Sequence, residues 1–492
     1  MPLPCLHLDC FKAGIPSSPS LSSSYQKANL FSSESHSSLS LSLCRRHKLS
    51  GCLSLDRTAQ NSSASSSDDG PDDLCIVFAA GGTGGHIYPA IAIADDIKLI
   101  EPSAKILFVG AQSGMESVSV PSAGYDFVAV PVVALVRSLL SLKNLVFPFR
   151  LLQCVAASYK LLRDVRPSAV VGTGGYVSAP TCLAAALHGI RVVIQEQNSV
   201  PGLANRLLGL FAQTIFVAFD TCSMYFPRDK CVLSGNPVRA SLRMFISKAV
   251  ARRHFFPRAA VSGAEVVLVM GGSLGASSIN IAVLNMYQQL LRENEKRFLI
   301  WQTGVEGFDE MESLARAHPR MLLTPFLHRM DLAYAVADVI VSRAGAMTCF
   351  EILATGKPSI LIPSPNVAEG HQTRNASNMA DIAGSMVLTE NELDSTTLLN
   401  VIDEILGEKI LMAEMCEKAM KAAKPDASTQ IAQHVRRLRC KRIIHTRRHE
   451  VVIDILVLLV IWHLDMSENE WTVEPSLVHS SLSLRATGKE DG

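Results

Sequence analysis

The chain lacks several patterns that mark common functional classes. Its 46 Lys and Arg nearly balance 45 Asp and Glu, so a net charge of +1 gives no general attraction to nucleic acid. No uncharged apolar run reaches the roughly 18 residues that a spanning helix needs. The longest candidate, Val451 to Leu464, is short and contains Asp454. We therefore expect no nucleic-acid partner, and the sequence offers no clear membrane-spanning helix.

Metal, redox and P-loop motifs are also missing. The 12 cysteines form no C-x-x-C pair, so neither a zinc site nor a thioredoxin-type pair is indicated, and we expect a reducing compartment. No Gly-Lys-Ser or Gly-Lys-Thr follows a glycine-rich loop, which excludes a P-loop. We expect the protein to use no metal and no cofactor.

The two ends of the chain differ in composition from the middle. Residues 1–70 contain 20 serines, and residues 1–67 contain six Lys and Arg against three acids. This composition is typical of an organelle transit peptide, and a serine-rich disordered tail without an address is the alternative. We expect residues 1–73 to be a transit peptide and linker, and we assign no fold to residues 441–492.

Between the ends, short β-branched runs alternate with helical stretches, which is the pattern of parallel sheets covered by helices. The predicted strands are Leu74–Phe78, Lys105–Val109, Phe127–Val130, Ala169–Val171, Arg191–Ile194, Thr214–Val217, Cys231–Leu233, Glu265–Met270, Phe298–Trp301, Met321–Leu323, Asp338–Val341, Ser359–Ile362 and Met386–Leu388. A stretch with Asn236-Pro237 and several basic residues interrupts this rhythm. The sequence therefore predicts an α/β fold of two doubly wound, Rossmann-like domains, residues 74–235 and 264–440, joined by a linker at 236–263.

Three glycine-rich loops follow predicted strands. They are Gly81-Gly82-Thr83-Gly84-Gly85-His86, Gly172-Thr173-Gly174-Gly175-Tyr176 and Gly271-Gly272-Ser273-Leu274-Gly275-Ala276. Such loops let backbone N–H groups and a helix N-terminus face an anion. The dinucleotide pattern G-x-G-x-x-G fails in the first loop, where Ile87 takes the place of its last glycine. An anionic ligand other than a dinucleotide is therefore favoured at the carboxyl ends of the strands.

These loops and four further motifs resemble, in order, those of the MurG family. The further motifs are Glu196-Gln197-Asn198, Gly235-Asn236-Pro237-Val238-Arg239, Ser342-Arg343-Ala344-Gly345-Ala346-Met347-Thr348 and Glu351. The resemblance covers roughly residues 74–437. It implies a GT-B fold, in which two Rossmann-like domains face each other across a cleft and the second holds most of the sugar nucleotide.

The resemblance also implies the reaction. MurG enzymes transfer N-acetylglucosamine (GlcNAc) from UDP-GlcNAc to a lipid-linked muramyl-pentapeptide, lipid I, and form lipid II of peptidoglycan. A serine-rich leader on such a body suggests a plant or algal chloroplast form, on the stromal side of the inner envelope or thylakoid membrane. Two other functions are open: a chloroplast diacylglycerol galactosyltransferase, and a scaffold that binds UDP-sugar without catalysis.

The sugar-nucleotide site is expected to work without a metal, because the sequence contains no Asp-x-Asp pair. The diphosphate must then be neutralised by helix N-termini and fixed cations. The resemblance implies that Arg239 and Ser273 contact the nucleotide and that Glu351, expected on the first turn of a helix, binds the ribose. It assigns the backbone of Leu327 to the uracil and Gln372 to the sugar. The other expected binding residues are Thr83, Gly84, Gly85, Asn198, Ala346, Met347 and Thr348.

The resemblance implies a direct displacement with inversion, because the donor is α-linked and the family's product is β-linked. The acceptor hydroxyl then needs a base, and His86 is the candidate because it closes the first glycine loop and imidazole titrates near neutral pH. The alternative is that His86 binds the diphosphate or braces the loop, with Glu196 as the reserve base. The family usually has histidine where this chain has Gln195, so that position does not titrate.

An acceptor in a membrane requires a docking surface. The segment from Arg137 to Arg150 combines apolar residues with three cations, which suits an interfacial segment on anionic lipid. An ordinary core helix is the alternative. The expected membrane-facing residues are Leu139, Leu140, Leu142, Lys143, Phe147, Phe149 and Arg150.

Overall fold

The structure is a computed structural model that describes residues 74–132, 147–257, 263–365 and 370–438. These residues form two parallel β-sheets covered by helices. Each of the predicted strands is a strand in the structure, with ends that differ by at most three residues. The prediction of an α/β fold with two Rossmann-like sheets is therefore confirmed.

The first sheet has seven parallel strands in the order β3-β2-β1-β4-β5-β6-β7. They are β1 (Cys75–Ala80), β2 (Lys105–Gly110), β3 (Asp126–Ala129), β4 (Ala169–Gly174), β5 (Arg191–Glu196), β6 (Thr214–Val217) and β7 (Cys231–Leu233). The strand order changes direction between β1 and β4, so the chain continues from β1 to β2 on one side and from β4 to β5 on the other. A crevice at such a switch point is where doubly wound sheets bind ligands.

The second sheet has six parallel strands in the order β10-β9-β8-β11-β12-β13. They are β8 (Glu265–Met270), β9 (Arg297–Gln302), β10 (Met321–Thr324), β11 (Val339–Ser342), β12 (Ser359–Leu361) and β13 (Met386–Val387). Here the switch point lies between β8 and β11. Each half of the chain thus places its central glycine-containing loops at one edge of a sheet.

The helices connect the strands and cover both faces of each sheet. In the first half they are α1 (Gly84–Ile100), α2 (Glu116–Ser122), α3 (Phe147–Val165), α4 (Ser178–Leu187) and α5 (Leu203–Leu208), and after β7 come α6 (Ala240–Arg243) and α7 (Lys248–Phe255). In the second half they are α8 (Ser277–Glu293), α9 (Phe308–Leu314), α10 (Met330–Val336), α11 (Ala346–Thr355), α12 (His371–Ala383), α13 (Ser395–Gly407), α14 (Lys409–Ala422) and α15 (Ala427–Arg437). Short 3₁₀ turns span Asp220–Tyr225 and Arg228–Lys230.

Alternate residues of the central strands supply two separate hydrophobic layers. On β1, Val77 joins the cluster on one face of the sheet, whereas Ile76 and Phe78 join the cluster on the other face. On β8, Leu268 and Val269 divide in the same way. Successive side chains of a strand point to opposite faces, so a strand buried on both faces reads as a continuous apolar run. The loops of the site therefore stand on strands that are fixed from both sides.

The last described helix, α15, packs against the first sheet. Its residues Ile431, Ala432 and Val435 are fully buried in the same cluster as Ile76 on β1. The sequence prediction placed this helix, within residues 264–440, in the second domain. In the structure its apolar face packs over the first sheet, a crossing that no local pattern reveals.

A buried ion pair reinforces this crossing. The Asp96 carboxylate on α1 accepts hydrogen bonds from Arg243 of α6 at 2.8 Å and from Ser428 and Thr429 of α15, each at 2.7 Å. Burial opposes the charge of Asp96, but these hydrogen bonds outweigh it and hold its pKa below the ordinary value. One carboxylate thus joins the first domain, the linker and the C-terminal helix.

Candidate active site

Two of the three glycine-rich loops pack directly against each other. Gly175, after β4, has a φ of 81°, and a Cβ atom there would approach the Gly81 carbonyl oxygen to 2.2 Å. Gly174 has a φ of 107°, and a Cβ there would lie 2.7 Å from Nδ1 of His86. Any side chain at these positions would be strained and would push the loops apart. The loops after β1 and β4 therefore form one continuous surface.

A buried carboxylate accepts hydrogen bonds from the backbone of the glycine loop after β1 and of the loop after β2. Glu116 is fully buried, and it accepts hydrogen bonds from the backbone N–H groups of Ala111 at 2.8 Å and Gly82 at 3.2 Å. The next residue of the loop, Thr83, is exposed and extended, and α1 begins after it at Gly84. The first N–H groups of a helix have no intrahelical acceptor, so the expected binding residues Thr83, Gly84 and Gly85 leave donors available at this end of α1.

His86 lies on the first turn of α1 and is fixed by the neighbouring strand ends. Its Nδ1 is 3.0 Å from the Thr173 carbonyl oxygen and 3.1 Å from Oε1 of Gln197. The Thr173 hydroxyl in turn donates to the His86 carbonyl at 2.8 Å. Among the described residues, Nε2 has no hydrogen-bond partner. The half-buried ring therefore keeps one nitrogen for a ligand or for an acceptor proton.

Glu196, the reserve base in the sequence prediction, is buried and surrounded by hydrogen-bond donors. It is the last residue of β5 and is 1% exposed, and its two oxygens accept four hydrogen bonds from the following loop and from α5. The donors are Asn198 N at 3.0 Å and Nδ2 at 3.2 Å, Gly202 N at 3.3 Å and Asn205 Nδ2 at 2.8 Å. An ionised carboxylate has about four lone-pair positions, and these four donors occupy them. The geometry therefore favours a structural role for Glu196 in shaping the loop after β5.

Asn198 lies where this loop meets the second domain. Its Oδ1 is 3.4 Å from Nδ2 of Asn375 on α12, which also donates to the Ala344 carbonyl at 3.2 Å. The Asn375 Oδ1 accepts from both the N–H and the hydroxyl of Ser199, at 3.1 and 2.9 Å. Asn375 is fully buried. One amide side chain therefore ties the loop after β5 to the loop after β11.

Arg239 directly precedes α6, and its guanidinium carbon lies 4.5 Å from the centre of the Tyr88 ring of α1. Its Nε is buried and has no hydrogen-bond partner among the described residues. A half-buried guanidinium whose buried Nε keeps an unused donor is suited to an anion such as a phosphate. The expected phosphate-binding role of Arg239 is compatible with this position.

Glu351 lies on the second turn of α11, one turn later than the sequence predicted. The Tyr334 hydroxyl donates to Oε2 of Glu351 at 2.9 Å. Burial raises the pKa of Glu351 above its ordinary value, although the charge of Arg239 and the Tyr334 hydrogen bond act in the opposite direction. A carboxylate held in this way can use its other oxygen to accept a hydrogen bond from a hydroxyl.

The N-terminus of α11 completes this group. The first N–H groups of a helix have no intrahelical acceptor, and here they are those of Ala346, Met347 and Thr348. Gly345, which precedes the helix, has no side chain that could cap them. The positive end of the helix dipole favours an anion at this place. Nδ2 of Asn236, in the linker, lies 3.5 Å from the Ala346 carbonyl oxygen, which connects this turn to the linker.

The remaining expected binding residues follow strands of the second sheet. Ser273 lies in the loop after β8, and its carbonyl accepts from Val305 N at 3.2 Å. Leu327, after β10, is buried in the core, so only its backbone is suited to ligand contact. Gln372 is the second residue of α12, and its Oε1 accepts from Ser364 N at 2.9 Å. These three residues share the carboxyl-end edge of the sheet.

The halves of the chain match two family models. Residues 76–217 match the glycosyltransferase family 28 N-terminal domain, and residues 266–431 match the glycosyltransferase family 28 C-terminal domain. The chain belongs to glycosyltransferase family 28. This establishes the chain as a glycosyltransferase and accounts for its two Rossmann-like sheets, which form the GT-B fold.

Curated relatives of this glycosyltransferase share one name, "UDP-N-acetylglucosamine--N-acetylmuramyl-(pentapeptide) pyrophosphoryl-undecaprenol N-acetylglucosamine transferase". The protein of Salinibacter ruber is 41% identical over 360 residues, covering 73% of this chain and 95% of the relative. That of Flavobacterium psychrophilum is 40% identical, covering 74% and 97%. The crystal structure of Acinetobacter baumannii MurG is 27% identical, with a TM-score of 0.57, and covers 74% of this chain and 99% of that one. The MurG resemblance is thereby confirmed.

Several residues of the glycosyltransferase site were missed by the sequence analysis. They are Tyr88, Glu116, Gln197, Asn236, Tyr334 and Asn375. Gln197 and Asn236 stand inside the quoted motifs, and Tyr88 follows the first glycine loop by two residues, which is a signal that could have singled them out. The others have no local signal, because each acts through a partner distant in sequence.

The expected membrane-facing residues fall only partly within the described chain. Leu139, Leu140, Leu142 and Lys143 lie outside it. Phe147, Phe149 and Arg150 begin α3, where Phe149 is 68% exposed and Arg150 is also exposed. In the described part of the chain, no helix combines the length and the apolarity needed to cross a membrane.

Proposed function

We propose that this protein transfers GlcNAc from UDP-GlcNAc to a lipid-linked muramyl-peptide acceptor, with inversion, and so forms lipid II in peptidoglycan biosynthesis. The names of the relatives support this donor and acceptor, and the chain aligns with nearly their whole length. The observation in this chain that carries the proposal is the position of Arg239. It contacts Tyr88 of the first domain, interacts with Glu351 of the second, and has a buried Nε without a partner among the described residues.

The donor occupies the second domain. Its diphosphate lies against Arg239 and the N–H groups that begin α11, which together supply the positive charge that the leaving UDP needs. Glu351 accepts from the ribose hydroxyls with the oxygen that Tyr334 does not occupy. The Leu327 backbone meets the uracil, and Gln372 meets the sugar. Ser273 and Asn198 complete the contacts.

The chemistry takes place at the first glycine loop. The acceptor hydroxyl attacks the anomeric carbon from the face opposite UDP, and Nε2 of His86 takes its proton as the C–O bond to UDP breaks. The N–H groups near Thr83 face the same region. Glu196 holds the loop after β5 in shape and takes no part in proton transfer, because four donors already occupy its oxygens.

The acceptor comes from a membrane surface, and α3 supplies a docking element. Along this helix Phe149, Leu152 and Tyr159 are exposed at 68%, 55% and 39%. Exposed apolar side chains beside Arg150 suit the interface of an anionic bilayer. We propose peripheral binding through this helix together with the preceding segment, residues 137–146.

We further propose a chloroplast location, on the stromal side of the inner envelope or thylakoid membrane. The support is the composition of residues 1–67, rich in serine and with twice as many basic as acidic residues. A reporter fused to residues 1–73 should enter chloroplasts, and a reporter that stays in the cytosol would contradict the proposal.

The proposed reaction is tested by incubating the full chain with UDP-GlcNAc carrying a labelled sugar and with lipid I. Labelled lipid II with a β-linkage is the expected product. Parallel reactions offer UDP-galactose with diacylglycerol. Product only in the galactose reaction would support the galactosyltransferase alternative, whereas UDP-GlcNAc binding without any turnover would support the scaffold.

A further inference from the structure

Gln197 makes an unusual set of contacts beside His86. Its Nε2 lies 2.7 Å from the Thr173 carbonyl oxygen, 3.2 Å from the Gln195 carbonyl oxygen and 2.5 Å from the Gln195 Oε1. All three atoms are hydrogen-bond acceptors. Gln197 is 2% exposed, so water cannot replace these contacts easily.

These contacts fix the orientation of the Gln197 amide. If the amide were reversed, its oxygen would face three acceptors in a buried place, which is electrostatically unfavourable. Two of the three are backbone carbonyls, which have no alternative orientation. The Gln195 side chain is oriented in the same sense, since its Nε2 donates to Oδ1 of Asn236 at 2.8 Å. Oε1 of Gln197 must therefore face His86.

Nδ1 of His86 consequently faces two acceptors, Oε1 of Gln197 at 3.1 Å and the Thr173 carbonyl oxygen at 3.0 Å. A bare imidazole nitrogen would be repelled by both oxygens, whereas an N–H is attracted by both. In the neutral imidazole one nitrogen carries the proton and the other is the base. The surroundings therefore select the Nδ1–H form, with the lone pair on Nε2.

We propose that Gln197 is a positioning residue that holds His86 in its Nδ1–H tautomer, so that Nε2 is the nitrogen that receives the acceptor proton. The proposal rests on the base role of His86 in the proposed function. It makes Gln197 the counterpart of the orienting group that accompanies a catalytic histidine in other enzymes, with an amide in place of a carboxylate. A neutral amide selects the tautomer without adding a negative charge beside the base.

The tautomer is measurable without turnover. The full chain is labelled with ¹⁵N-histidine, and long-range ¹H–¹⁵N spectra are recorded at about pH 8.5, where a histidine of ordinary pKa is neutral. The His86 signals are assigned by their loss in His86→Asn. We expect a protonated Nδ1 and an unprotonated Nε2. A protonated Nε2 in the wild-type protein would overturn the proposal, even if turnover depends on His86.

Two variants then separate positioning from packing. Gln197→Met should give a mixture of tautomers and lower kcat by about 10-fold, a part of what a general base supplies, with an unchanged KM for UDP-GlcNAc. Gln195→Met is the matched control, because it also deletes a buried amide but leaves both backbone carbonyls to orient Gln197. It should keep the Nδ1–H tautomer and stay within about 3-fold of wild-type kcat.

Other outcomes would overturn either the role of Gln197 or the base role of His86. An Nδ1–H tautomer that persists in Gln197→Met would overturn the role of Gln197, because Thr173 alone would then suffice. An equal loss of kcat in both variants, without a change of tautomer, would do the same. Turnover that survives His86→Ala would instead overturn the base assignment of the proposed function, whatever the spectra show.

Discussion

The guanidinium of Arg239 stacks on the ring of Tyr88, with 4.5 Å between the guanidinium carbon and the ring centre. This contact holds a linker residue against the first helix of the first domain. Because stacking does not use the N–H groups of the guanidinium, the arginine is positioned and still has donors for an anion. Burial raises the pKa of Glu351 in the second domain, and the positive charge of Arg239 opposes this rise.

Removal of the Tyr88 ring should therefore weaken donor binding. A cation–π contact contributes about 0.5–2 kcal/mol, so Tyr88→Leu should raise the KM for UDP-GlcNAc by about 2- to 30-fold. Tyr88→Phe keeps the ring and is the matched control, expected within about 2-fold of the wild type. Steady-state kinetics at saturating lipid I provide the measurement. An equal increase of KM in both variants would show that the hydroxyl, not the ring, is needed.

Turnover should survive treatment with EDTA, because in the proposed site Arg239 and the N-terminus of α11 supply the positive charge that faces the diphosphate. Arg239→Ala removes that cation, and the loss of one charge-assisted hydrogen bond costs about 1.5–3 kcal/mol. We expect kcat/KM to fall by about 10- to 150-fold in this variant and to stay constant in the chelated wild type. A loss of activity in EDTA that Mg²⁺ or Mn²⁺ restores would contradict the metal-free site.

Much of the fold was predictable from the sequence, because parallel strands buried on both faces read as short apolar runs. The glycine loops were also predictable, because a positive φ such as that of Gly174 favours glycine, and glycine is visible in the sequence. The packing of α15 on the first sheet was not predictable. Its apolar face fits either domain, and only the completed tertiary structure selects between them.

The site was predictable as a set of motifs but not as a set of contacts. His86 and Arg239 stand in recognisable patterns. Their partners Gln197 and Tyr88 lie in or next to the same motifs, but the side-chain contacts that they make are not encoded by any spacing. The hydrogen bonds of Glu196 were not predictable for the same reason. Its position in a motif suggested chemistry, and its four hydrogen bonds indicate a structural role.

Glu351 should lower the stability of the folded protein at neutral pH and strengthen the binding of UDP-GlcNAc. Its pKa is raised by burial, so the folded state loses stability as pH rises above the ordinary value of 4.5 and through the folded-state pKa. Glu351→Gln removes this loss. The variant should have a higher Tm than the wild type at neutral pH, and the difference should shrink as pH falls toward about 4. Its KM for UDP-GlcNAc should rise by about 10-fold or more, because the charge-assisted hydrogen bond is lost. A lower Tm at neutral pH would contradict this account.

Asp96 should show the opposite pH dependence. Its hydrogen bonds lower its pKa, so its contribution to stability is present above the ordinary value of 3.8 and is lost as pH falls through the folded-state pKa. Asp96→Asn should lower the free energy of unfolding by about 3 kcal/mol at pH 7, because Arg243 loses its partner, and by much less in acid. The control is Glu414→Gln, which breaks an exposed pair with Lys418 and should cost less than about 1 kcal/mol. Urea unfolding at both pH values gives the comparison.

The last prediction separates the two candidate bases. Nε2 of His86 has no partner among the described residues, whereas both oxygens of Glu196 are occupied. His86→Ala should lower kcat by about 10²–10⁴-fold with nearly unchanged affinity for UDP-GlcNAc, and the acidic limb of the pH profile should disappear. Glu196→Gln should retain that limb and most of kcat, but it should lower the Tm, because one amide cannot accept from all of Asn198, Gly202 and Asn205. If the limb instead disappears in Glu196→Gln and persists in His86→Ala, then Glu196 at the end of β5 is the base and His86 binds the diphosphate.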